Sequence, residues 1–563
     1  MKILLIGINA KYIHSNPAIY YLKKYVLANV SDTKLYDDNI ELAEYTINQE
    51  KSDIIRDIYQ KNVDVVAISV YLWNVSYVSS IIKEIAKICP KTDIWLGGPE
   101  VSFDAPKQLE KYPMIRGIIA GEGEKSFLRL AKYYIAGEGD LPEIMYADKE
   151  LLFDDVPFPY DELGDFDNRI IYYETSRGCP FGCTYCLSSV DKVIRLRSID
   201  KVKKELQYFL DNKVSLVKFV DRTFNCNPSH TIEILRYIKE HDNYITCFHF
   251  EMAAELINDE ELALLQSLRP GLVQVEIGIQ TTNQKTLSAI HRKSDFEKLS
   301  NIVNSLLVNL NMHVHVDLIA GLPFEDLQSF KKSFDDVYGL GANELQLGFL
   351  KILKGAPMEQ CVKEYDILYL DEPPYEVLST KWLAYNDIIE LKGVEEILEK
   401  YYNSGQFVNS MKYLLANIDK TPYELYFDIY EYYLKNDYMY FNHNRYENYR
   451  ILREYAVEKF ADNTTKITHF TECLLHDLYL RDNVKSRPDY GDNGIVDKKL
   501  YKRFFEEGKH LKYLDGYEDV PPATASRMIH IEKRTDGYML YDYTKRNPIN
   551  NNAFTVFIGL DEV

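Results

Sequence analysis

Apolar positions in the first 135 residues fall into two rhythms. Lys2–Ile8, Val63–Val70, Ile94–Leu96 and Ile115–Ala120 are short, nearly continuous apolar runs, the mark of strands covered on both faces. Pro17–Leu27 instead carries helical spacing. Strands alternating with helices predict a parallel doubly wound sheet, with ligands on the loops after the strand C-termini. The opening Met1–Gly7 is apolar but short, and Asn9 and Lys11 follow at once, so it reads as a first strand and not as a signal segment.

Residues 136–167 are rich in Asp, Glu, Pro and Gly, and Val156–Tyr160 holds two prolines that disfavour helix before them; this stretch is expected to be a linker. A second βα series follows, with strands near Ile170–Glu174, Leu216–Val220, Ile245–Phe250, Leu272–Ile277, His313–Ile319 and Glu344–Leu350. Six such units predict a partial barrel with its site at the C-terminal strand ends. From 361 the pattern turns helical and Tyr-rich, at Lys381–Tyr402 and Pro422–Lys435, and Met528–Val563 reads as short strands joined by Asp-Gly and Asn-Pro turns. Tyr401–Gly405 and Asp542–Pro548 mix polar and aromatic groups, which is read as packing and turn chemistry. The expected organisation is α/β: a doubly wound domain at 1–135, a linker at 136–167, a partial (β/α)6 barrel at 168–360, and a mostly α domain with a short β ending at 361–563.

The 563 residues suit about three or four domains at roughly 100–200 residues each. A formal charge of −20 argues against broad contact with a phosphate backbone, so a nucleic-acid partner is disfavoured. No apolar run reaches the ~18 residues a membrane span needs, and a cytoplasmic protein is expected. The 46 tyrosines are read as filling half-buried positions.

Of 8 cysteines, three crowd into Ser176-Arg177-Gly178-Cys179-Pro180-Phe181-Gly182-Cys183-Thr184-Tyr185-Cys186. The other five are scattered and read as small buried hydrophobes. C-x3-C-x2-C directly after the first strand of the second series can hold three corners of a 4Fe–4S cube, leaving the fourth iron open to a small molecule. A structural zinc site would need a fourth ligand, usually from a second C-x2-C pair, and the sequence has none.

This motif, with its Arg-Gly prefix and Tyr185, resembles that of radical S-adenosylmethionine (radical SAM) enzymes. The resemblance implies Cys179, Cys183 and Cys186 as catalytic cluster ligands, with S-adenosylmethionine chelated at the open iron and cleaved to a 5′-deoxyadenosyl radical. Later strand ends are similar to the same family: Phe219–Asn225, Phe250-Glu251-Met252, Gln274–Thr281 and Asp317–Glu325. They imply Tyr185, Asp221, Glu251, Glu276, Gln280, Asp317 and Gly321 as S-adenosylmethionine-binding residues. Carboxylates at the ends of apolar strands are costly unless paired or functional, which fits that placement; a structural pairing with Arg222, Arg292 or a loop amide is the other reading.

The N-terminal domain resembles the cobalamin-binding domain found before such barrels. The likeness rests on loops Asn9–Asn16, Ser69–Asn74, Leu96–Ser102 and Ala120–Glu124, and implies Asn9, Ser69, Tyr71, Gly97, Gly98, Glu100, Gly121, Glu122 and Gly123 as cobalamin contacts. The glycines are expected to let backbone approach a flat macrocycle. Many cobalamin proteins carry D-x-H-x-x-G after the first strand; here Lys11 stands where its His would be, implying cobalt without a lower ligand from that motif.

The combination implies a C-methyltransferase that uses one S-adenosylmethionine to methylate cobalamin and a second to make the radical that activates an unactivated substrate carbon. A non-methylating radical cyclase or rearrangement enzyme is the alternative. A tRNA-modifying enzyme fits less well, because its second cluster needs three more N-terminal cysteines and only Cys89 is there; a cobalamin sensor would have no use for the open iron site. Implied partners are a small-molecule or peptide substrate and a flavodoxin or ferredoxin electron donor. The C-terminal region resembles an uncharacterised domain that recurs behind these two modules, and is expected to select substrate.

Overall fold

In the computed structural model the described residues are 1–148, 151–160, 163–166, 168–461, 463–484, 486–494 and 496–560. Their contacts define two compact units. The first comprises 1–312, 319–327 and 348–385; the second comprises 313–318, 328–347 and 386–563.

The first unit opens with six parallel strands: β1 (Ile3–Asn9), β2 (Ile40–Thr46), β3 (Val65–Ser69), β4 (Asp93–Gly97), β5 (Gly117–Ala120) and β6 (Ile144–Tyr146). Their order is β2-β1-β3-β4-β5-β6. β1 and β3 are the apolar runs read from the sequence, and β1 is buried along its whole length. Helices cover both faces, and two apolar clusters fill the layers. The strand order reverses between β1 and β3, so the loops after these two strands flank the crevice where such sheets take ligands.

The edge strands β2 and β6 were not expected. β6 falls inside the stretch read as a linker, and that stretch is packed: Leu151, Phe153 and Val156 are buried against Tyr21 and Tyr25. Residues 149, 150, 161, 162 and 167 of the expected linker lie outside the described residues.

The second βα series contributes Ile171–Tyr173, Leu216–Phe219, Cys247–Glu251, Val273–Gln280, His313–Ala320 and Glu344–Phe349, each within a few residues of expectation. The first four pair in parallel within the first unit.

The second unit takes most of the last two strands together with the C-terminal helices, so the unit boundary does not follow the expected break at 361. The reason is local bonding. Asn403 bonds both the N–H (2.9 Å) and the C=O (3.0 Å) of Leu345. Asp335 accepts from the Tyr423 N–H at 2.7 Å, and Lys331 pairs with Glu390 at 2.9 Å. Tyr401 is buried, its hydroxyl on Tyr433 at 2.6 Å, as the packing reading expected. The ending is an antiparallel sheet of Ile529–Lys533, Tyr538–Arg546 and Ala553–Ile558. Its expected last residues, 561–563, lie outside the described residues.

Candidate active site

The cysteine loop leaves the strand Ile171–Tyr173 and is closed at its base as a hairpin. Ser176 and Arg177 pair antiparallel with Leu196 and Arg195, and the Cys179 N–H continues the contact to the Asp191 carbonyl at 2.9 Å. Gly178 sits at φ +91°, and a Cβ there would lie 2.2 Å from the Val193 carbonyl oxygen, so this base closes only around glycine. Backbone bonds from Thr184 to Ile290 and from Met358 to Thr184 tie the far side of the loop to the barrel.

Cys179 and Cys183 are buried, Cys186 is partly exposed, and none of the three is in a disulfide. Burial raises the Cys183 thiol, opposed by the Arg292 guanidinium and reinforced by the neighbouring Cys186 and Cys179 sulfurs. The three sulfurs therefore share one environment. Thr223 Oγ1 lies 3.4 Å from Cys179 Sγ. Burial also raises the Tyr185 phenol, against the pull of Arg292. Arg292 in turn donates to the Gly278 carbonyl.

Gln280 ends its strand at φ +73°, with its amide folded over Gly278 and its buried Oε1 without a hydrogen-bond partner. The Nε of Arg292 and the hydroxyl of Thr184 are also buried without partners. Buried orphans of this kind are costly and point to a polar ligand at this end of the barrel.

The other expected S-adenosylmethionine-binding residues stand as follows. Asp221 is almost fully buried and braces the root of the cysteine loop: it accepts from the Thr175 N–H at 3.0 Å, the Thr175 hydroxyl at 2.8 Å and the Ser176 hydroxyl at 2.5 Å. Burial pushes it up to about 6 despite those bonds. Glu276 lies beside Glu251 on the neighbouring strand and receives His249 at 3.0 Å and Lys218 at 3.3 Å. Gly321, at φ +92°, lies where a Cβ would come 2.8 Å from Val377, so its side-chain space is taken by the protein itself. Asp317, in the second unit, lies 3.1 Å from His315.

Around the crevice of the N-terminal sheet, the expected contacts are mostly engaged with the chain. The Asn9 amide donates to the His14 carbonyl at 3.0 Å and to Glu44 at 2.8 Å. Ser69 accepts from Asn16 at 2.6 Å. Glu100 is buried and accepts from the Tyr375 hydroxyl at 2.9 Å. Glu122 has both oxygens on Arg195, at 2.8 and 2.5 Å, with Arg177 at 3.3 Å. Burial alone would raise Glu122, but the Arg195 bonds and the Arg177 charge outweigh it and hold the carboxyl below its usual range.

The glycines, expected to let backbone approach a flat macrocycle, also have a packing reason of their own. A Cβ at Gly98 would meet the Val70 carbonyl oxygen at 2.5 Å, at Gly121 the Ala147 Cβ at 2.8 Å, and at Gly123 the Leu22 side chain at 3.0 Å. These glycines let loops pack on each other; a Cβ at Gly97 would make only ordinary contact with Ile119. What the loops do offer a large flat ligand is exposed apolar surface. Tyr12, Ile13 and Trp73 are exposed, and the Tyr71 and Trp73 rings stack at 4.5 Å and 6°. Burial pushes the Tyr71 phenol up to about 12. The buried Asn16 Oδ1 has no partner. Lys11 is exposed, and His14 is held by the Tyr172 hydroxyl at 2.6 Å, its pKa lowered by burial and then by Lys11 and Lys218.

Sequence reading missed Arg177 and Arg195. Arg177 bridges Glu174 at 2.6 Å, Glu124 at 2.8 Å and Glu122, so the hairpin of the cysteine loop is ionically joined to the loop after β5. Arg177 precedes Gly178 in the motif itself, and Arg195 is a basic residue on the return of the loop; both signals were present.

Three family models match in succession: the B12 binding domain over residues 3–131, the radical SAM superfamily over 173–337, and a protein of unknown function (DUF4080) over 363–557. Residues 173–337 form a radical SAM domain. The chain carries a B12-binding domain ahead of the barrel, and these assignments imply a 4Fe–4S cluster, S-adenosylmethionine and cobalamin. The three clustered thiols, the orphaned polar atoms beside them and the aromatic crevice of the first sheet suit that set.

Among curated relatives, the cobalamin-dependent radical SAM methyltransferase TokK of Streptomyces tokunonensis is 24% identical over 354 residues, 55% of this chain and 51% of that protein. The chain thus spans about half the length of such relatives. Among solved structures, the cobalamin-dependent S-adenosylmethionine radical enzyme OxsB with aqua-cobalamin and S-adenosylmethionine bound aligns at TM-score 0.55 and 14% identity, covering 85% of this chain and 83% of that one. The radical S-adenosylmethionine methyltransferase TsrM of Kitasatospora setae, with cobalamin and a 4Fe–4S cluster bound, aligns at TM-score 0.51 and 18% identity, covering 67% and 79%. These likenesses establish the fold. Among the described residues no helix is long and apolar enough to cross a membrane.

Proposed function

We propose that the protein is a cobalamin-dependent radical SAM C-methyltransferase acting on an unactivated carbon of a small-molecule or peptide substrate, with a flavodoxin or ferredoxin as electron donor. One observation carries the reading: the cysteine hairpin and the loop after β5 of the B12-binding domain are joined by the Arg177 and Arg195 bridges within one compact unit. Two cofactor loops held together in this way suit a reaction that needs both at one substrate. When bound, the cluster supplies the electron that cleaves S-adenosylmethionine to a 5′-deoxyadenosyl radical, and cobalamin supplies the methyl group.

Each group of the chain then has a stated part. Cys179, Cys183 and Cys186 hold the cluster, and the Thr223 hydroxyl, which donates to the Arg222 carbonyl at 2.8 Å, lies beside Cys179. Asp221 fixes Thr175 and Ser176 so that the loop leaves its strand at one angle. Gln280, Glu251 and Glu276 supply polar atoms at the strand ends for S-adenosylmethionine. Tyr71 and Trp73, stacked at 4.5 Å, would offer an apolar wall to a corrin and help exclude water there. The C-terminal domain selects substrate.

The test is anaerobic incubation of reconstituted protein with cobalamin, reductant and S-adenosylmethionine, followed by mass spectrometry. Both 5′-deoxyadenosine and S-adenosylhomocysteine are expected. Deoxyadenosine alone would replace methyl transfer by radical cyclisation or rearrangement, and neither product would end the enzymatic reading.

A further inference from the structure

The C-terminal helices and the final sheet line a cavity of about 90 Å³. At ~10–15 Å³ of such space for one water, it has room for several. Arg453 reaches it from the helix Arg445–Phe460, Thr468 and Thr471 from the helix Thr464–Arg481, and Lys533 and Arg534 from the end of the strand Ile529–Lys533 and the turn after it.

The cations here are poorly neutralised. Arg453 lies over the Tyr490 ring, 5.3 Å from its centroid, with its Nε buried and unbonded; among the described residues it has no carboxylate partner. The Nε of Arg534 is also buried and unbonded, and its nearest acid, Asp536, is 3.9 Å away and largely exposed. The two acids that line the cavity are occupied elsewhere. Glu532 is held by Arg487 at 2.8 Å and by His530 at 3.1 Å. Glu472 accepts the Thr535 N–H at 2.7 Å and the Thr535 hydroxyl.

Arg487 and Glu532 cancel. Arg453, Lys533 and Arg534 are left against Glu472, an excess of positive charge. Burial first, and then the Arg534 charge, push the neighbouring His476 down to about 4. Half-buried guanidinium groups without an anion are unfavourable, and two guanidiniums with the Thr468 and Thr471 hydroxyls on one cavity are the donor types an oxyanion takes.

We propose that this cavity binds a small oxyanion group, a carboxylate or a phosphate, between Arg453 and Arg534. The volume accommodates an anion of the size of acetate or phosphate. The proposal does not depend on the methyltransferase reading.

The test is calorimetric titration of the full chain with inorganic phosphate and, separately, with acetate, against chloride at matched ionic strength. Saturable binding of at least one is expected, and whichever binds more tightly identifies the anion class. Losing charge-assisted bonds should weaken binding by about tenfold or more in R453Q/R534Q. R453K, which keeps the charge but not the fork, should weaken it by a smaller factor, and serves if the double variant does not fold. Absence of saturable binding, equal response to chloride, or unchanged binding in both variants would overturn the proposal.

Discussion

Replacing Gly178 by alanine tests how the cysteine loop is closed. Two costs add. A left-handed backbone costs an L-residue about 1–2 kcal/mol. The new Cβ, 2.2 Å from the Val193 carbonyl, must also gain about 1 Å to reach ordinary contact, which parts the hairpin base. That move strains the Cys179–Asp191 bond and the pairing of Ser176 and Arg177 with Leu196 and Arg195, at about 1 kcal/mol per bond. The total is about 3–5 kcal/mol, concentrated at the cluster ligands. Gly137 is the control: its φ is +72° and nothing lies within 4 Å of where a Cβ would sit, so Gly137→Ala carries only the backbone cost. The assay pairs iron content after anaerobic reconstitution with the urea midpoint. Gly178→Ala should fall well below about four irons per chain and lose more stability than Gly137→Ala. Full iron content together with equal urea midpoints would refute the closure argument.

Cys183→Ala should abolish the brown absorbance of reconstituted protein while its circular dichroism stays native; unchanged iron would remove the cluster assignment. A double-mutant cycle of Arg195→Ala and Glu122→Gln should give a coupling of about 1–2 kcal/mol in urea unfolding, since the pair is bidentate and mostly shielded; a coupling near zero would mean the bridge is not formed in solution. The folded pKa of His476, about 4, lies below the ordinary 6.5, so the unfolded chain takes up the proton first and this group's contribution falls as pH drops from 6.5 toward 4. His476→Gln should therefore lose less stability than the parent between pH 7 and pH 5, by about 2 kcal/mol. Asp477, pushed up to about 6 by burial, works in the opposite direction over a similar range and is present in both proteins, so identical pH profiles would show that His476 is not buried as described.

The buried strands and the cysteine loop were legible because each is written within a few consecutive residues. Continuous apolar runs marked β1 and β3, and the C-x3-C-x2-C spacing marked the loop proposed to hold the cluster. The edge strand β2 was hidden by its chemistry. Its Glu44 reads as surface charge, yet it accepts from Asn9, the Asn16 N–H, Tyr20 and Arg169, a set drawn from distant parts of the chain. The same distance hid the true partners of Glu122 and Asp221, which lie 73 and 45 residues away. Spacing marks a residue as unusual; only the fold decides whether a ligand or a neighbour answers it. Glycines 98, 121 and 123 make the point in reverse, since the freedom they supply is used by the chain's own loops.

The Arg177 and Arg195 bridges also limit how this architecture can be recombined. A graft that exchanges the B12-binding domain for another must bring Glu122 and Glu124, or an equivalent pair of acids, along with it. Without them Arg177 keeps only Glu174 and Arg195 only Asp191, and the hairpin of the cysteine loop loses its ionic tie to the loop after β5. The acidic loop after β5 is as much a part of the hairpin's stability as the hairpin's own residues.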